Sequence, residues 1–148
     1  MIDSILLSIH LLTTTLMTGV IWVIQLVHYP SFHYVDREHF SAFETFHSKQ
    51  ISKIVIPLML LELVSGIGLL YYLKKSQSLL LINLLLLTAT WLTTFAFSAR
   101  YHGILTSGFS EKHIFKLIHT NWIRTLLWSI RTIIILSLFS TLDSLTFS

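Results

Sequence analysis

The chain has no cysteine. Disulfides, thiolate metal sites, iron–sulfur clusters and thiol nucleophiles are therefore all excluded. Charge is also scarce. Only 11% of the 148 residues are Asp, Glu, Lys or Arg, against about 25% in a soluble domain. No basic stripe of the kind that binds nucleic acid is present, and the formal net charge is only +3. No low-complexity linker divides the chain, so residues 1–148 read as one domain. What remains is apolar: 53% of residues are hydrophobic, and the lipid bilayer is the implied partner.

Four apolar runs can be read, at about residues 5–27, 51–73, 79–99 and 114–142. Each reaches the ~20 residues needed to cross the hydrocarbon core. The fold expected is an all-α bundle of four transmembrane helices. The first run lacks a basic start and a small-x-small cleavage site, so it reads as a retained span rather than a signal peptide. Tyr29-Pro30 is expected to end it, because the residue before proline avoids the α region. Asp36 is then expected to cap a new amphipathic helix. That helix should run without a break into span two, with Pro57 kinking it inside the bilayer. Lys74 to Ser78 should form a tight turn between spans two and three. Gly103 and Gly108 should mark the turn after span three, and Ser110 should cap span four. Arg37, Lys49, Lys53, Arg100, Lys112 and Lys116 flank one side, and Lys74 and Lys75 the other. The positive-inside rule puts the six-residue side in the cytoplasm and both termini outside.

Each span carries a polar seam at helical spacing, which in lipid should face the bundle axis. The seams include His10, Thr14, Thr18, Trp22, Gln25 and His28 in span one, and Glu62 and Ser65 in span two. Trp91, Thr94, Ser98 and His102 form that of span three, and His113, Asn121, Arg124, Trp128 and Arg131 that of span four. At 1.5 Å per residue, Glu62 lies roughly 22 Å deeper than His47, and Arg131 roughly 18 Å deeper than His119. Glu62 should therefore pair with Arg131, with Arg124 as a second partner. The pair either fixes helix register or handles protons and polar substituents as a catalytic group, since ionisable residues inside a membrane are functional by default. Seven of the eight histidines lie at the cytoplasmic end. Of these, His28, His47 and His102 come from three helices at one level and could hold a transition metal ion. Two imidazoles could instead hold a b-type haem. No HExxH spacing accompanies them. The tryptophans give aromatic walls suited to packing or to a flat, lipid-soluble molecule. Trp22, Gln25, Trp91, Asn121 and Trp128 are the candidates for contacting it.

Three motifs carry a resemblance. Trp22-x-x-Gln25-x-x-His28-Tyr29-Pro30-x-Phe32, Pro57-x-Met59-Leu60-Leu61-Glu62 and Asn121-Trp122-x-Arg124-Thr125-x-x-Trp128-x-x-Arg131 resemble a family of small bacterial four-span membrane proteins of unassigned function. The closing Asn-Trp-x-Arg pattern is similar to that of the four-span anthrone-oxygenase-like family. The first-span histidine, followed by tryptophan and proline, is similar to the four-span haem-binding protoporphyrinogen oxidases. That last likeness implies His10 as an axial haem ligand, with His28 and His102 as further candidates from the residue pattern. Span three has no lysine to match theirs, and Asn83 is its nearest polar residue. The function expected is binding, with redox or oxygenation chemistry, of a lipid-soluble molecule. The alternative is a non-enzymatic partner subunit or small transporter.

Overall fold

A computed structural model describes residues 2–73 and 77–146, with the side chains of 2–73 and 78–140. Lys74 and Lys75, on which half of the orientation argument rests, lie outside the described residues. The described residues form four long helices: α1 (Ile2–Tyr34), α2 (Phe40–Tyr72), α3 (Ser78–Leu105) and α4 (Glu111–Thr146). All four are long and apolar enough to cross a membrane, as the apolar runs require. The chain is an all-α, four-helix integral membrane bundle.

The bundle is polar inside and apolar outside. His10, Thr14, Gln25, Glu44, His47, Glu62, Asn83, Asn121, Arg124 and Arg131 are buried, while Leu12, Val23, Val64, Leu85, Leu92 and Ile133 face outward. In hydrocarbon this is the favoured arrangement, because polar groups then find partners between helices. Three apolar clusters separate the polar groups along the axis. Leu7, Leu69, Leu80, Ile135 and Leu138 form one near the chain termini. Met17, Ile21, Met59 and Trp128 form the second. Tyr29, Phe32, Phe40, Leu105, Ile114 and Leu117 are among the third, at the histidine end.

Several local expectations need correction. Helix α1 does not end at Tyr29-Pro30. It is α-helical over Ile2–Val23, widens to a π-helix over Ile24–His28, and continues through Tyr29–Ser31 to a 3-10 turn at Phe32–Tyr34. The widened turn just before Pro30 takes up the carbonyl that the proline ring would otherwise strike. Asp36 caps a tight turn rather than the helix: its Oδ1 accepts from the Glu38 N–H at 2.9 Å, and α2 begins at Phe40. As expected, α2 is one unbroken helix with Pro57 inside it. Helix α3 contains a second π segment, Thr94–Ala99. Gly103 lies within its last helical residues, and the turn falls at Gly108, whose φ of 146° favours glycine. The Ser110 hydroxyl meets His113 Nδ1 at 2.8 Å just before α4.

Candidate functional site

Two buried polar layers cross the bundle, and α4 contributes an arginine to each. The deeper layer holds Glu62 and Arg131. Their side chains have no exposure, and Arg131 Nη1 donates to Glu62 Oε1 at 3.0 Å. The expected pair therefore forms. Trp128 Nε1 donates to both carboxylate oxygens, at 3.3 and 3.2 Å. Asn83 accepts from Arg131 Nε at 3.4 Å and donates to the Arg131 carbonyl at 3.1 Å. His10 completes the layer, with Nε2 3.2 Å from Asn83 Oδ1 and Nδ1 3.0 Å from Ser65 Oγ. Gly66 leaves the space for this ring: a Cβ there would stand 3.0 Å from His10 Cε1 and 2.7 Å from Leu84 Cδ2.

The second layer is built on Arg124, which is 5% exposed. Arg124 does not share the Glu62 carboxylate. Its Nη1 donates to Ser98 Oγ at 2.7 Å and to Asn121 Oδ1 at 3.1 Å, and its Nε has no partner. Asn121 in turn donates to Gln25 Oε1 at 2.9 Å, and Gln25 donates to the Ile118 carbonyl at 3.2 Å. Gln25 and Asn121 thus brace the guanidinium rather than facing open space. Trp128 links the layers, with the Arg124 guanidinium 5.2 Å from its ring centroid. Among the described residues no ion pair neutralises Arg124.

Beside Arg124 lies a cavity of about 510 Å³ between α2 and α3. Val55, Ile56, Met59 and Phe95 give it apolar walls; Trp91, Ser98, Tyr29, His102 and Arg124 give it polar points. The Trp91 Nε1 is buried and without a partner. A pocket of apolar walls with a few convergent polar groups is the usual form of a small-molecule site. A larger groove of about 750 Å³ runs between α1 and α2, but it is lined mainly by apolar residues such as Leu12, Leu16, Val23 and Ile54, with Thr15, His28, His47 and Gln50 as its polar members. It is a lipid-facing groove with little to orient a ligand.

At the histidine end, three rings meet as expected. The centroids of His28 and His47 are 4.0 Å apart, and those of His47 and His102 are 5.4 Å apart. Their contacts, however, do not form a three-imidazole ligand set. Both nitrogens of His102 are engaged: Nδ1 pairs with the Glu44 carboxylate, and Nε2 lies 2.8 Å from the Tyr29 hydroxyl. Ser48 also donates to Glu44 Oε1, at 2.8 Å. His28 Nε2, His47 Nε2 and Glu44 Oε2 are buried without partners. Among the described residues no group of three His, Asp or Glu side chains is arranged to hold a metal ion. His10, with both nitrogens bonded in a closed layer, does not fit an axial haem ligand either.

Trp22 is also displaced from its expected place. It is 37% exposed, donates to Ser129 Oγ at 3.0 Å and packs edge-on against Trp122, outside the cavity. Trp128 lies against the carboxylate layer. Of the aromatic candidates, Trp91 alone lines the cavity. Tyr29 and Glu44 are the groups that sequence reasoning missed. Glu44 and His47 stand three residues apart on one helix face, beside the histidine cluster, and that spacing was the available signal. Comparison with protein-family models, characterised proteins and solved structures finds no match to this chain.

Proposed function

We propose that this chain is a membrane protein that binds a lipid-soluble small molecule in the cavity between α2 and α3, with the polar end of that molecule at Arg124. One observation carries the reading: a buried guanidinium without a carboxylate partner borders an apolar cavity open to a ligand. An unpaired buried charge is costly, and an oxygen brought in by the ligand would offset that cost. The unpartnered Trp91 N–H offers the ligand a second donor in the same cavity. The test is solvent extraction and mass spectrometry of the purified protein. Wild type should carry an apolar, oxygen-bearing molecule that Arg124→Gln lacks. Identical extracts from the two would overturn the reading.

The orientation belongs to the same proposal: termini outside and the histidine end in the cytoplasm, on the six-to-two division of basic residues, in a bacterial inner membrane on the family resemblance alone. Reporter fusions at the two termini test it, and a cytoplasmic terminus would overturn it. A second reading, a non-enzymatic membrane protein with a structural ion pair, draws on one feature. Glu62 and Arg131 are fully enclosed and border neither cavity. Their role in that reading, and in the leading one, is to fix the register of α2 against α4.

A further inference from the structure

We infer that Tyr29, His102 and Glu44 form a proton relay that ionises an acidic hydroxyl of the molecule held at Arg124. The inference rests on the cavity reading above and adds a chemical class: an apolar body bearing a phenol-like O–H. The three side chains come from three different helices and join end to end. An ionised Glu44 carboxylate can only accept, so His102 Nδ1 carries the proton toward it, and in the neutral imidazole that the relay requires Nε2 is the acceptor. The Tyr29 hydroxyl, 2.8 Å away, must then donate to Nε2. The Arg124 guanidinium also donates toward the Tyr29 oxygen, and the lone pair left over is open to a donor in the cavity, which Tyr29, His102 and Arg124 all line. Glu44 stands behind them with no exposure. Its second oxygen has no partner, so it is not saturated as an acceptor.

The transfer is redox-neutral. The ligand O–H bond breaks and its proton passes to the Tyr29 oxygen. The Tyr29 proton passes to His102 Nε2, and the His102 Nδ1 proton to Glu44. The ligand oxygen keeps the bonding electron pair. One negative charge thus moves from Glu44 to the ligand, beside the guanidinium that had no anion. Arg124 is also an electrostatic neighbour of the Tyr29 hydroxyl, so it favours negative charge along this path. The other titratable groups facing the relay are His28 and His47, packed against Tyr29 and against each other, with His47 also against His102. A triad of hydroxyl, imidazole and carboxylate is a general acid–base device wherever its geometry recurs.

The experiment uses the purified protein in detergent with two dyes, pyrene and 1-hydroxypyrene, read by absorbance and fluorescence as pH is varied. Wild type should bind 1-hydroxypyrene on the order of tenfold more tightly than pyrene. The bound dye should be an oxyanion at a pH where the same dye in empty micelles is protonated. In Glu44→Gln the pyrene affinity should be unchanged, while the ionised fraction falls on the order of tenfold and its titration moves to higher pH. Tyr29→Phe, which keeps the ring packing and removes only the hydroxyl, should lose the ionised dye in the same way and stands in if Glu44→Gln does not fold. A neutral dye in wild type, or an unchanged ionised fraction in either folded variant, would overturn the relay. Failure of both dyes to bind would sink the cavity reading and the relay together. Pyrene binding with no ionisation of 1-hydroxypyrene would sink the relay alone.

Discussion

Arg124 and Arg131 sit seven residues apart on the same face of α4, both buried, yet they are in opposite situations. Arg131 faces a carboxylate and the asparagine that His10 also meets; one nitrogen, Nη2, has no partner, but neither cavity borders it. Arg124 faces the neutral oxygens of Ser98, Asn121 and Tyr29 and a cavity. The same charge, about 10 Å apart along one helix, is a closure in one place and an opening in the other. A buried cation therefore does not mark a site by itself; the absence of an anion beside it, with room for one, does.

The comparison breaks hardest at the closed layer. Glu62→Gln or Arg131→Gln alone should destabilise the protein by about 3–5 kcal/mol, because each strands a buried charge. The double variant should lose less than the sum of the two. Thermal unfolding in detergent, followed by helical circular dichroism, measures this, and additive losses would mean that the pair is not coupled. In the same layer, Gly66→Ala should cost about 1–3 kcal/mol by overpacking, since the new methyl would strike Leu84 and His10. Gly19→Ala, with nothing within 4 Å of its Cβ, is the control that should leave unfolding unchanged.

Arg124 should behave differently. Its coupling to Glu62 in a double-mutant cycle should be smaller than that of Arg131, carried only through the shared Trp128. Equal coupling would erase the distinction between the layers. The smallest effect is expected at Trp91→Phe, which removes one N–H and keeps an aromatic wall. It should weaken binding of 1-hydroxypyrene by about twofold to tenfold and leave the unfolding temperature in place. An unchanged affinity would remove that N–H from the site.

Helical spacing by itself makes the closed layer legible in the sequence. Glu62 and Arg131 are costly in lipid, lie on inward seams and match in depth, so each has to find the other. The meeting of His28, His47 and His102 is legible for the same reason. Glu44 is not, because it lies in a stretch whose phenylalanines and charges also suit a membrane surface. What buries it is the continuation of α1 past Pro30, which brings Tyr29 and Phe32 over α2. Asn83 is hidden in another way. It is a lone polar residue in a leucine run, and its importance lies entirely in the groups on other helices, His10 and Arg131. The contacts do not favour a metal held by all three histidines, because both nitrogens of His102 are already hydrogen-bonded to Glu44 and Tyr29.

The π segments at Ile24–His28 and Thr94–Ala99 set the phase of all that follows them. Each turn holds about one residue more than an α-turn, so the helix beyond it is rotated by roughly 100° from its uninterrupted course. Tyr29 lies just past the first such segment and His102 just past the second. Deleting Leu26 from the first or Ala96 from the second would leave an apolar, helical span of nearly the same length, with every side chain of the site still encoded. It would nevertheless swing one member of the cluster away toward lipid. At this end of the molecule, the spacing of the chain carries information that its composition does not, and a one-residue gap there separates chains that keep the arrangement from chains that keep only its letters.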